Sequence, residues 1–353
     1  MRLAVVLLAA ALGISICRAE DHAVALVYHH VSEDTPALTS VTPDTFAKHL
    51  AYLRENDFEV WPLGKILDAI EDDRQIPRNT VAITFDDAYL SVHTEAYRQL
   101  RAYGWPFTLF VNTEAIDQGY SSSMSWDQIR ELARAGAEIG NHSHSHAHLV
   151  RRQDGESEAQ WRRRVTADIL RAEQRLRDEI GVKPTLFAYP FGEYSEELAE
   201  IVEDLDYRGV AQRSGTIGRN SDLLTVPRFP MSTGYANLQR FATSVNSRPL
   251  PVRSIRVAKP KPPNDRIDNI TLKLDSGDYR IGQLACYSSR GHRLPSETTQ
   301  GESVDIFVAL DLEQPAGRNK INCTAPSASE NGVYYWYSYQ WLVKNPDGSW
   351  YRE

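Results

Sequence analysis

The chain of 353 residues has only three cysteines and three methionines. One cysteine, Cys17, sits in the N-terminal apolar stretch, so the rest of the chain holds only Cys286 and Cys323. That excludes a disulfide-dense mini-fold and a cysteine-built zinc module. Positive charge is also scarce. Lys and Arg number 39 against 47 Asp and Glu, the net charge is -8, and no basic tract occurs, which argues against a nucleic-acid partner. Past the N-terminus no apolar run approaches the roughly 18 residues of a membrane span. No Gly-x-Ser-x-Gly elbow is present to supply a serine nucleophile, and there is no internal repeat.

What is present begins with "MRLAVVLLAA ALGISICRAE". A single Arg, an apolar run and then small residues make residues 1–19 a secretory signal by pattern, with cleavage after Ala19. Ile16 is too large for the residue before a lipidated Cys17, so a free exported protein, periplasmic or secreted, is expected ahead of a lipid anchor. In an exported chain Cys286 and Cys323 are expected to pair, the alternative being two buried thiols.

From about residue 23 to 245, apolar strand-like runs alternate with helical patterns. Strands are expected at 23–30, 80–87, 107–112, 137–142, 185–190 and 207–212, and helices at 42–56, 93–104, 125–136, 158–181 and 195–205. Such alternation argues for parallel βαβ units closed into a barrel or a doubly wound sheet, with the chemistry at the C-terminal strand ends. His29, Asp86, Asp87, His142 and Phe191 all lie at or just past the C-terminal ends of predicted strands. At 251–266 the texture turns to Pro and charge, as in a linker. Short alternating runs in 267–353 then predict a β-sandwich, ending in a hairpin around Asp347-Gly348. In "YYWYSYQW", Tyr335, Tyr337, Tyr339 and Trp341 share one face, with Tyr334, Trp336 and Ser338 on the other. The second face fits either a platform for sugar rings or an interface with the first domain.

Two motifs carry the chemistry. Asp86-Asp87 ends a strand, where neighbours point in opposite directions, so one carboxylate can bind a metal while the other acts as a base; a helix N-cap is the structural alternative. "HSHSHAH" places His142 and His146 four residues apart. On a helical turn that spacing puts both imidazoles on one face, with His144 and His148 as a second pair, whereas a strand would put all four on one side. One Asp with two His makes a three-ligand site with open positions, as catalysis needs.

Taken in order, "TFDDAY", "NHSHSHAHL" and "AYPFGEYS" resemble the metal-dependent polysaccharide deacetylases, the NodB-homology carbohydrate esterases, over roughly residues 23–245. The resemblance implies a distorted (β/α) barrel over 20–250, with Asp86 as general base and Asp87, His142 and His146 as ligands of one divalent metal. Zinc comes first for that ion, then cobalt, nickel or iron. It further implies that the N–H of Phe191 joins the oxyanion hole, in the Tyr189, Pro190, Phe191, Gly192 turn. No His lies between His148 and His292 to serve as the family's C-terminal acid. "ALVYHHV" instead resembles the permuted poly-β-1,6-N-acetylglucosamine deacetylase subgroup, which makes His29 the acid and His30 the lesser choice. Two positions depart from the pattern. Ala88 stands where Gly is common, and Ala188 where many members carry an Arg that tunes the base. Arg228 could supply that charge, or it could be a surface salt bridge. The expected activity is removal of N-acetyl groups from a glycan polymer: poly-β-1,6-N-acetylglucosamine first, then chitin oligomers or peptidoglycan. A catalytically inactive carbohydrate-binding protein and a periplasmic metal buffer are the rivals.

Overall fold

A computed structural model describes residues 21–301, 303–310 and 314–352. The expected signal at 1–19, with Cys17, lies outside them. Seven strands form the path of the main sheet: β1 His22–Tyr28, β2 Thr80–Phe85, β3 Thr108–Val111, β4 Glu138–Asn141, β5 Leu186–Ala188, β6 Arg208–Val210 and β7 Thr216–Gly218. Their order is β7-β1-β2-β3-β4-β5-β6, parallel from β1 to β6, with β7 antiparallel on β1. Between the two edges runs the segment 226–230. Val226 bridges Val210, and Phe229–Pro230 pairs with Leu26 and Val27 of β1. The sheet is thereby curled into a distorted barrel.

The helices between strands are α1 Pro43–Glu55, α2 Leu63–Glu71, α3 Tyr97–Tyr103, α4 Trp126–Arg134, α5 Glu158–Ile180 and α6 Glu196–Asp204, with α7 Leu238–Val245 at the end of the domain. Local chemistry sets their limits. Thr42 caps α1 ahead of Pro43, Ser125 and Ser157 form capping boxes with Gln128 and Gln160, and Gly104 and Gly181 close α3 and α5 in the left-handed conformation. All six residues of β2 are buried because both faces of the sheet are covered. Alternate residues of β1 serve different cores: Val24, Leu26 and Tyr28 pack with α1, whereas Ala23 and Ala25 pack with α2. Short α2 and α7 were not expected from the sequence.

The remaining strands form a sandwich of two four-stranded sheets. β8 Val252–Val257, β9 Asn269–Leu274, β10 Ala285–Ser288, β11 Ser296–Gln300, β12 Val304–Ala309, β13 Gly317–Pro326 and β14 Tyr334–Val343 supply them. One sheet runs Arg248–Pro249, β14, β13, β10, and the other β8, β9, β12, β11. Cys286 and Cys323 oppose each other on β10 and β13 and form a disulfide. The expected linker at 251–266 needs correcting, because β8 lies inside it as an edge strand. Its Pro and charge protect that exposed edge, where Arg253 and Ser254 face solvent. The expected terminal hairpin also changes. Asn345 and Ser349 do form a turn, but Trp350 and Tyr351 return to the barrel instead of pairing as a strand. Tyr335, Tyr337, Tyr339 and Trp341 pack in the sandwich core, while Trp336 packs edge-on against Phe229 and the Ser338 hydroxyl donates to Ser214 O. The second face of β14 is therefore an interface with the barrel. Among the described residues no helix is long and apolar enough to cross a membrane.

Candidate active site

Asp86 and Asp87 leave β2 side by side, and the backbone N–H of Asp86 donates to Tyr28 O at 3.0 Å. The chain then turns through two left-handed residues, Asp87 (φ 70°) and Ala88 (φ 50°). That geometry explains why glycine suits position 88; alanine, fully buried, holds it at some backbone cost.

The two Asp side chains separate as their positions suggest. Both Asp86 oxygens are taken by Arg228, Nη1 donating to Oδ1 at 2.7 Å and Nη2 to Oδ2 at 2.8 Å. The guanidinium is 0% exposed and also donates from Nη1 to Thr84 Oγ1 and from Nε to Ala211 O. Arg228 is thus a buried bidentate partner of Asp86 and no surface salt bridge. Burial pushes the Asp86 carboxyl up; Arg228, His142 and His29 together outweigh it and leave the pKa lowered.

Asp87 faces the histidines. Its Oδ1 lies 3.3 Å from His142 Nε2 and 3.1 Å from His146 Nε2. It is buried and has no hydrogen-bond partner in that position. Burial raises its carboxyl, but the two imidazoles hold it well below the ordinary range. His142 Nδ1 donates to Ala188 O at 2.8 Å, which leaves Nε2 with its lone pair toward Asp87. One donor atom from each of Asp87, His142 and His146 lies within 4.8 Å of the other two. An orphaned buried carboxylate oxygen among imidazole nitrogens fits a divalent metal of the zinc type.

The histidine run is neither helix nor strand here, a correction to both alternatives. His142 follows β4, and the loop turns at Ser143 (φ 64°) and His146 (φ 51°) to bring His146 back beside His142. Asp168 on α5 accepts from the backbone N–H of His144 and Ser145, and Asn141 Oδ1 accepts from Ser143 N–H. His144 and His148 do not form a second pair. His144 Nδ1 meets Thr113 Oγ1 at 2.8 Å, whereas His148 Nδ1 lies 2.8 Å from Glu193 Oε2 and its ring stacks on Phe191 at 3.9 Å.

Phe191 holds the left-handed conformation (φ 58°) in the Pro190–Gly192 turn, close to His146. Tyr189, expected as part of the turn that offers the oxyanion-hole N–H and meets substrate, instead turns its side chain into the core. It is 1% exposed and its hydroxyl donates to Leu224 O, so it anchors the turn from behind. His29, half-buried at the end of β1, has Gln212 as a neighbour: Gln212 Nε2 is 3.4 Å from His29 Nε2. Burial lowers the His29 pKa, with Asp86 and Asp87 opposing and Arg228 and His142 assisting. His30 stacks on Tyr89 at 3.6 Å. Tyr89 itself is raised by burial and by the Asp87 carboxylate.

Gln212, Asn141, Asp168 and Glu193 were not anticipated. Asn141 and Glu193 lie inside the quoted motifs and Gln212 ends the expected strand at 207–212, but no spacing in the sequence shows which partners the four would meet. A cleft of about 1320 Å³ follows the seam between the two domains past Glu196, Arg213, Tyr337 and Trp350; none of the groups around Asp87 lines it.

Residues 73–210 match the family model described as polysaccharide deacetylase. A poly-beta-1,6-N-acetyl-D-glucosamine N-deacetylase of Escherichia coli (strain K12) is 25% identical over 259 residues, covering 63% of this chain; the chain spans only 38% of that relative's length. The putative polysaccharide deacetylase YxkH of Bacillus subtilis (strain 168) is 25% identical over 212 residues, covering 59% of this chain and 71% of YxkH. Among solved structures, IcaB from Ammonifex degensii is similar, with a TM-score of 0.55 and 26% identity over 61% of this chain and 94% of that one. The Streptococcus pyogenes deacetylase PplD, solved with acetate, shares the fold at a TM-score of 0.55 and 21% identity, over 62% of this chain and 95% of that chain.

Proposed function

From the premise that this chain carries a polysaccharide deacetylase domain, we propose that it removes N-acetyl groups from an N-acetylglucosamine polymer with the help of one divalent metal. The observation that carries the reading is the division of labour at the end of β2: Asp87 faces two imidazoles while Asp86 faces a guanidinium. Asp87, His142 and His146 would hold the cation, zinc first among candidates. When bound, the cation supplies Lewis acidity, which acidifies water and polarises an acyl carbonyl.

The remaining steps belong to the chain. Asp86, kept ionised by Arg228, takes a proton from the attacking water. The Phe191 N–H, presented by the left-handed turn, donates to the carbonyl oxygen as it gains charge. His29 gives a proton to the departing amine, and acetate and a glucosamine unit result. The lowered pKa of His29 makes its protonated form a stronger acid.

Poly-β-1,6-N-acetylglucosamine leads as substrate, on the Tyr28-His29-His30 opening and on the names of the similar proteins. Export is proposed from the N-terminal pattern and from the Cys286–Cys323 disulfide, which suits an oxidising compartment. The inactive binding-protein rival rested on Ala188 and loses that ground, since Arg228 brings a cation to Asp86 from another segment. A metal buffer would need several sites, and one candidate cluster occurs among the described residues.

The test is acetate release from β-1,6- and β-1,4-linked N-acetylglucosamine oligomers, with metal counted per chain. One metal per chain is expected, with activity lost to a chelator and restored by metal. Asp86→Asn should lower the rate at least about 100-fold while the bound metal stays. Acetate release unchanged by Asp86→Asn would refute the assignment of the base.

A further inference from the structure

The sandwich does more than lean on the barrel. Arg318 and Lys320 sit two apart on β13 and so share one face of the strand. Arg318 Nη1 donates to Gln212 Oε1 at 2.9 Å, and Lys320 Nζ donates to Gln212 O at 2.6 Å. One strand of the accessory domain thus holds both the side chain and the backbone of the residue that faces His29.

The chemistry of the groups fixes the direction of this chain. A guanidinium has only donors, so it must meet the oxygen end of the amide. The amide nitrogen of Gln212 is then the end turned to His29 Nε2, at 3.4 Å. Without Arg318 the amide could rotate and present either atom. With it, Gln212 presents a donor, and the imidazole accepts at Nε2 and keeps its proton on Nδ1.

Four further observations converge on the same place. A Cβ at Gly192 would lie 2.5 Å from Gln212 Cβ and 2.8 Å from Arg318 Nη1, so the turn bearing Phe191 packs directly on this pair. Gln340 of β14 donates to Gly192 O at 2.7 Å. Arg318 and Lys320 make no ion pair with a carboxylate among the described residues, an arrangement that stability alone does not favour. Burial, with Arg318 and Arg213 nearby, pushes the Lys320 ammonium down to about 7.

We propose that Arg318 is a positioning residue which, through Gln212, fixes the orientation of His29, so that the β-sandwich completes the active site. The claim rests on the deacetylase reading above, with His29 as the acid. It predicts a selective defect. An amine departs from an acetamide only with a proton, whereas 4-nitrophenolate leaves an acetate ester without one.

The experiment compares the full-length, metal-loaded wild type, Arg318→Ala and Arg318→Lys on an N-acetylglucosamine oligomer and on 4-nitrophenyl acetate, with melting temperatures beside the rates. Arg318→Ala should lower kcat on the oligomer about tenfold or more, change KM little, and leave the ester rate within about twofold of wild type. Arg318→Lys, which keeps a donor for Gln212 Oε1, should recover most of the loss. Equal loss on both substrates with a lowered melting temperature, wild-type rates on both, or no recovery with lysine would each overturn the proposal. Failure of the deacetylase reading looks different, since wild type itself then releases no acetate from the oligomer. Nitrogen NMR of the His29 ring in the metal-free chain reads the geometry directly. An Nδ1–H ring in wild type, mixed in Arg318→Ala, supports the proposal; the same ring state in both defeats it.

Discussion

Arg228→Met would leave Asp86 ionised, buried and without either of its two strongest hydrogen bonds. Removing one partner of a buried pair costs about 3–5 kcal/mol, far more than any surface ion pair contributes. The variant should unfold at correspondingly lower denaturant and lose acetate release. Adding Asp86→Asn to it removes the stranded charge, so the double variant should regain part of the lost stability while staying inactive. Additive losses in a double-mutant cycle would show that the two side chains are not coupled. The sequence put Asp86 at the end of a strand, where the structure has it, because a β-branched run ending in two carboxylates is a local signal. It left Arg228 open because nothing near either residue records that they meet.

At the scale of elements, α1 is tied to β1 and to the approach to α7 through one residue. Tyr28 OH donates to His49 Nδ1 at 2.9 Å, and His49 Nε2 donates to Ala236 O at 2.7 Å. His49 also stacks on Phe241 of α7 and is 1% exposed. The ring must be neutral to accept from Tyr28. Burial pushes its pKa from 6.5 down to about 4, against a smaller opposing contribution from the Ala236 hydrogen bond. The unfolded chain therefore binds more protons between those values. Stability from this group is complete above pH 6.5 and declines as pH falls toward 4, by up to about 3 kcal/mol. Urea titrations at pH 7 and pH 4.5 should show the loss, and His49→Gln should flatten the difference. An unchanged pH slope in that variant would assign the acid sensitivity elsewhere. The helix itself was legible, since Thr42, Pro43 and the Phe46, Leu50, Leu53 stripe are all local. Its attachment through His49 was not, because Ala236 lies 187 residues away.

For the whole molecule, the sandwich acts as a wall of the barrel, so its stability bears on the site. The Cys286–Cys323 disulfide closes a separation of 37 residues. Loop-closure entropy puts its loss at roughly 4 kcal/mol in the usual chain model. A Cys286→Ser, Cys323→Ser variant should melt earlier, most of all in the sandwich. If Arg318 positions His29 as proposed, glycan activity should fall as that domain loosens, before the barrel unfolds. Calorimetry with parallel rate measurements checks the order of events. Loss of the barrel transition first would separate the two domains functionally.

The alternation of strand and helix, the order of the three motifs and the acidic pair and histidine run that supply the candidate cluster Asp87, His142 and His146 were all legible in the chain, because each depends on neighbours within a few residues. The tertiary structure decided what those residues meet. Curling of the sheet by 226–230 delivered Arg228 to Asp86 across 142 positions. Asp168 and Asn141 bent the histidine run into a loop that no period predicts. Packing of β13 and β14 on the rim put Arg318 against Gln212 and turned an aromatic face from a possible sugar platform into an interface. Such pairings are set by sheet closure and domain docking, whose energetics lie in contacts between distant segments and leave no local pattern to read.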